Sequence, residues 1–231
     1  MQKLSPPEII LALDVDTIKS AKNFVDKLYP KIKTFKVGSH LFTAYGPKII
    51  HLLHKKGAAV FLDLKYFDIP NTVAGAVAAA VRLKIKMLTL HICGGEEMIK
   101  AAVASAQTQA KALNVTRPLL IGVTVLTSSA AKSKDVLSLA KKGINSGLDG
   151  VVCSAHEAVN LRRSIKKSFL IVTPGIRPDD SSKDDQKRTA TVSEAIKAGS
   201  NFLVIGRPIL KAADPLAKTE ELLGDLYGQR D

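Results

Sequence analysis

The chain of 231 residues contains no tryptophan, and aromatic residues make up only 5% of it. A surface that stacks single-stranded nucleic acid needs aromatic rings, so that class is disfavoured. Cysteine is scarce too, with only Cys93 and Cys153. Each lies in an apolar, strand-like run, and both are expected to be reduced, buried, small hydrophobes of a cytoplasmic protein. No apolar run approaches a membrane span. Met1–Pro7 lacks an apolar core flanked by a cleavage site. The expectation is a cytoplasmic location and no membrane partner. There is no G-x-G-x-x-G after the first strand, no Walker A sequence and no G-x-S-x-G. Histidines do not reach metal-ligand spacing: His51 and His54 are three apart on a helix, and His91 stands alone in a strand near Cys93. They read as a surface pair and a core histidine, so no metal is expected.

Charge of one sign is abundant. The net charge is +13, which favours anionic partners such as nucleic acid, a membrane surface or a phosphorylated small molecule. Lysines at 31, 33, 55, 56, 141, 142, 166 and 167 are scattered as short pairs over predicted helices. That pattern reads as solvated surface, not as a specific nucleic-acid stripe.

Hydrophobic patterning predicts strands at Glu8–Asp16, Thr34–Gly38, Ala58–Lys65, Met87–Cys93, Leu119–Leu126, Gly150–Ser154, Phe169–Pro174 and Phe202–Gly206. Between and after them, helices are predicted at Ile18–Leu28, Ala44–Lys56, Thr72–Leu83, Glu96–Leu113, Ser133–Gly143, His156–Ile165, Val192–Ala198 and Pro215–Tyr227. Short apolar strands alternating with amphipathic helices imply a parallel sheet covered by helices. Eight such units in one chain of this length predict an α/β fold, a single-domain (β/α)₈ TIM barrel over residues 1–231. An open doubly wound sheet is the alternative, weakened by the missing dinucleotide and Walker motifs.

The stretch Phe61–Val73, FLDLKYFDIPNTV, stands out. Asp63 and Lys65 interrupt an apolar strand two residues apart, so extended chain would point them to one face. Buried charge must be paired with a neighbour or a ligand. In a barrel, functional groups gather at the C-terminal strand ends. Those ends carry Asp14, Lys36, Asp63 and Lys65, with Asp68 just beyond, and coming from three neighbouring strands the five can converge as alternating charges. A lysine set between carboxylates keeps its proton, which suits an acid or an electrostatic stabiliser better than a Schiff-base amine. A structural ion pair is the plainer reading of any one of these residues.

The last two units look like a phosphate site. Thr173-Pro174-Gly175-Ile176-Arg177 ends the seventh strand and Gly206-Arg207-Pro208 the eighth, where phosphorylated ligands often sit in this fold. Gly206 permits close backbone approach, a helix N-terminus offers N–H groups, and Arg207 offers a planar fork. The polar loop Arg177–Arg188, with Gln186, suits a lid or a plain solvated loop. Thr127 and Ser128 fit either a heterocycle contact or a local turn.

Together these residues resemble the orotidine 5′-phosphate decarboxylase family, in its compact bacterial form. The resemblance runs from Leu11 to about Pro215. It rests on Leu11-Ala-Leu-Asp14, Phe35-Lys36-Val-Gly38, the D-x-K-x-x-D-I-P-N-T run Asp63–Thr72, His91 with Gly94-Gly95, Leu126-Thr127-Ser128, Thr173–Arg177, Asp185-Gln186 and Ile205-Gly206-Arg207. It implies decarboxylation of orotidine 5′-monophosphate to UMP, the last step of de novo UMP synthesis, with no cofactor. Lys65 would be cation and proton donor, beside Asp63. Lys36 and Asp14 would hold the ribose and Thr127 the pyrimidine, while Pro174, Arg177, Gln186, Gly206 and Arg207 would form the phosphate end. Asp68 and Thr72 would reach into the neighbour's site in a homodimer. Two rivals remain at this point. One is a related metal-dependent hexulose-phosphate synthase or gulonate-phosphate decarboxylase activity with the same D-x-K-x-x-D pattern. The other is a basic nucleic-acid-binding barrel, which rests on net charge alone.

Overall fold

The computed structural model describes residues 7–125, 133–177 and 189–228. Eight parallel strands pair in chain order and the eighth returns to the first, closing a (β/α)₈ barrel. They are β1 (Glu8–Ala12), β2 (Thr34–Gly38), β3 (Ala59–Tyr66), β4 (Met87–His91), β5 (Leu119–Val123), β6 (Gly150–Val152), β7 (Leu170–Thr173) and β8 (Phe202–Ile205). The helices are α1 (Ile18–Leu28), α2 (Ser39–Tyr45), α3 (Pro47–Lys55), α4 (Pro70–Arg82), α5 (Glu96–Leu113), α6 (Ser133–Asn145), α7 (Ala155–Ser164), α8 (Val192–Lys197), α9 (Arg207–Leu210) and α10 (Pro215–Tyr227).

Local chemistry accounts for most boundaries. Thr17 caps α1 by accepting from the Ser20 N–H, and Ser154 and Thr191 open α7 and α8 with capping boxes to Glu157 and Glu194. The one long helix expected over Ala44–Lys56 is instead two, α2 and α3, and the first begins earlier. Gly46 (φ 53°, ψ −143°) breaks them, in a conformation only glycine adopts readily, and Pro47 opens the second. Six strands also end sooner than expected, because the ladder stops where the barrel rim begins, whereas β2 ends as expected and β3 runs one residue further. β4 ends at His91, and Ile92–Gly94 form a 3₁₀ turn. That turn exposes Cys93, correcting the expectation of a buried thiol. Cys153 is buried, and burial pushes its thiol well above the ordinary range.

The core has two parts. An outer shell lies between strands and helices, and a smaller inner cluster holds Ile10, Ala12, Phe61, Met87, Ile121, Val172, Phe202 and Val204. Side chains alternate along each strand, so the next inward positions toward the C-terminal end are Asp14, Asp63, Thr89, Val123, Pro174 and Gly206. At the opposite end the barrel floor is closed by charge: Lys86 Nζ lies 2.6 Å from Glu8 Oε2 and 3.0 Å from Thr34 Oγ1, and 5.3 Å from the Phe202 ring centre. Part of the lysine content therefore braces the scaffold.

Candidate active site

β1, β2 and β3 deliver a row of alternating charge at the C-terminal mouth. Lys36 Nζ donates to Asp14 Oδ1 at 3.1 Å and stands 3.5 Å from Asp63 Oδ2. Lys65 Nζ donates to the same Asp63 oxygen at 2.9 Å. Asp14 is open to solvent, whereas the side chains of Lys36 and Asp63 are each 12% exposed. Of the five charges expected to converge, Asp14, Lys36, Asp63 and Lys65 do so, and Asp68 does not line this cavity.

The backbone that creates it differs from simple extended alternation. β3 and β4 pair Leu62 with Leu88 and then Tyr66 with Leu90, so three residues face one. Lys65 sits within this bulge at φ 53°, in the left-handed region. Thr89 is the β4 residue opposite, fully buried. Its hydroxyl accepts from the Lys65 N–H at 3.0 Å and donates to Asp63 Oδ1 at 2.8 Å. Sequence reading passed over Thr89. The signal was there: a hydroxyl on an inward position of an apolar strand needs a partner.

Burial pushes the Asp63 carboxyl upward, but the Lys36 and Lys65 charges and the hydrogen bonds from Lys65 and Thr89 outweigh it. The net result lies below the usual carboxylate range. A group lowered on folding adds stability that is complete above its unfolded-state pKa and fades as pH falls through the folded-state value. Denaturant titrations across acid pH are expected to show that limb in wild type and a shallower one in Asp63→Asn. Equal acid limbs would contradict the assignment.

From the ends of β7 and β8, Pro174, Gly175, Arg177, Gly206 and Arg207 line the same cavity as the charged row. It measures about 240 Å³, and Val123, Val125, Val152, Val172 and Val204 form an apolar floor that sequence reading had not assembled. Arg177 is buried and donates from Nη1 to the Ile176 carbonyl at 3.0 Å. Arg207 begins α9, a single-turn helix not expected from sequence. A Cβ on Gly206 would stand 3.6 Å from Asp14 Oδ2, projecting into the site. Thr127, Ser128 and Gln186 lie outside the described residues.

Asp68 and Thr72 are both exposed and do not line the cavity of their own chain. Asp68 accepts from the Ile69 N–H at 2.6 Å, between the exposed side chains of Phe67 and Ile69. His91 was expected in the core and is half-buried at the rim, because β4 ends there; its ring meets Phe67 edge-on at 5.8 Å. Burial first, then the Lys65 charge, lowers its pKa, against an opposing pull from Asp63.

Comparison with known proteins matches residues 7–222 to the orotidine 5′-phosphate decarboxylase / HUMPS family. The chain belongs to this family. It is similar to the orotidine 5′-phosphate decarboxylase of Vibrio cholerae serotype O1, at 46% identity over 96% of this chain and 100% of that one. With the Vibrio campbellii enzyme of the same name it shares 48% identity over 90% and 92% of the two chains. The crystal structure of the Lactobacillus acidophilus orotidine 5′-phosphate decarboxylase superposes with a TM-score of 0.84 at 37% identity, covering 96% of this chain and 99% of that one. Among the described residues, no helix is long and apolar enough to cross a membrane.

Proposed function

We propose that this chain decarboxylates orotidine 5′-monophosphate to UMP and CO₂, closing pyrimidine nucleotide synthesis in the cytoplasm without metal or organic cofactor. The observation that carries the reading is one cavity lined both by Lys65 with its partner Asp63 and by two arginines from the ends of β7 and β8. A phosphorylated ligand held at the arginines would lay its ring across the valine floor, toward Lys65.

The chemistry then follows from charge. As the bond between C6 and the carboxylate breaks, CO₂ leaves and the electron pair stays on C6. No conjugated system accepts it. The Lys65 ammonium stabilises the developing carbanion and transfers a proton to C6, and the neutral amine is reprotonated from solvent. Asp63 holds that ammonium in place, and Lys36 with Asp14 would grip the ribose hydroxyls. Thr127 would contact the pyrimidine, and Gln186, Arg177 and Arg207 the phosphate.

Asp68 and Thr72, exposed at the rim beside Phe67 and Ile69, would complete the site of a second copy in a homodimer.

Purified protein with orotidine 5′-monophosphate in EDTA is expected to consume the orotate absorbance. No turnover without magnesium, with turnover of a sugar phosphate when it is supplied, would move the chain to the metal-dependent branch of its family. The dimer has its own test in the same assay. Inactive Lys65→Ala and Asp68→Ala proteins, mixed, are expected to recover about a quarter of wild-type activity, since half the dimers are hybrids with one intact site. No recovery on mixing, with subunit exchange demonstrated, would reject a shared site.

A further inference from the structure

We infer that Thr89 is a positioning residue for Lys65 and Asp63: one buried hydroxyl on β4 holds the β3 bulge that aims the ammonium into the cavity. The inference rests on the decarboxylase reading for its kinetic consequence, though not for its geometry.

The bulge creates a hydrogen-bonding problem. With three β3 residues opposite Thr89 alone, the regular ladder between Leu62 and Tyr66 is interrupted. A left-handed conformation at a lysine is unfavourable and persists only where surroundings over-determine it. The Lys65 N–H is satisfied by the Thr89 hydroxyl oxygen at 3.0 Å. The hydroxyl proton is then directed to Asp63 Oδ1 at 2.8 Å. One side chain thus fixes the strained backbone of the proton donor and the rotamer of its partner carboxylate.

That second bond also sorts the two Asp63 oxygens. Oδ1 is taken by Thr89, leaving Oδ2 for Lys65 at 2.9 Å and Lys36 at 3.5 Å. A carboxylate free to rotate would let the ammonium drift, and a misplacement on the order of 1 Å costs about 10²-fold in rate. Thr89 itself does not line the cavity, so it acts through its neighbours. Thr89 has no exposed surface.

Thr89→Val keeps the shape and removes both bonds. Expected is a fall in kcat of about 10²-fold with KM, and UMP affinity by calorimetry, within about threefold of wild type. Thr89→Ser restores the hydroxyl and is expected to recover most of the rate. A residue that merely supports folding would lower thermal stability without this split of kcat from KM. Unchanged kcat in folded Thr89→Val, or a serine variant as slow as the valine one, would overturn the proposal.

Amide hydrogen exchange at Lys65 gives a readout that needs no turnover. The N–H is expected to be protected in wild type and in Thr89→Ser, and to exchange faster in Thr89→Val. If wild type fails to turn over orotidine 5′-monophosphate while this exchange pattern holds, the decarboxylase reading falls and the positioning role stands. Equal protection in all three proteins would reject that role whatever the substrate.

Discussion

Replacing Lys65 by alanine is expected to cut turnover of orotidine 5′-monophosphate roughly 10⁵-fold, because in the proposed mechanism one ammonium would serve two functions. General acid catalysis contributes about 10²–10⁴-fold and a preorganised charge at the developing anion about 10²–10³-fold. The ground-state complex should survive. The arginines come from the ends of β7 and β8, not from β3, and Lys36 remains between Asp14 and Asp63. Binding of UMP, measured by calorimetry, is expected to stay within about tenfold of wild type. The folded state should survive as well: Lys65 is partly exposed, and Asp63 keeps Lys36 and Thr89 as partners after its loss. Near-normal turnover in the variant would remove Lys65 from the chemistry and leave the charged row as scaffold.

The pairing of Lys65 with Asp63 was legible in the sequence, though for a reason only partly right. Two charges two apart in an apolar strand had to converge, and they do. Extended geometry is not how they meet, since Lys65 leaves the strand conformation altogether. A positive φ at lysine cannot be read from composition, because it is imposed by the register of β4 and the Thr89 hydroxyl. The eight-unit barrel was legible because each unit repeats one simple pattern, and cap residues such as Thr17 marked helix starts locally. The division at Gly46-Pro47 was signalled by both residues and still missed, since apolar periodicity continues across it. Cys93 was misplaced because an apolar neighbourhood in sequence does not say where a ladder stops. The valine floor was illegible for another reason. Its members come from β5, β6, β7 and β8, with Val125 just past β5, and only the curvature of the sheet into a barrel turns them toward one cavity.

Arg207→Ala separates ligand grip from chemistry, and its effect should depend on whether the substrate carries a phosphate. Removing one charged partner from a phosphate contact costs about 2–5 kcal/mol, or roughly 30- to 4,000-fold in kcat/KM. Arg207 is chosen over Arg177 because it is only half-buried, whereas removing the buried Arg177 would also leave a gap beneath the loop. The decisive control is orotidine without its phosphate. If Arg207 reads only the phosphate, wild type and variant should handle this nucleoside with nearly equal kcat/KM. The loss should then appear only with the nucleotide. Part of it is expected in kcat, because binding energy from a remote group helps to organise the reacting end. An equal loss on both substrates would place Arg207 at the ring or in the scaffold. No loss on either would move the phosphate site away from the β8 end and with it the orientation of the ring toward Lys65.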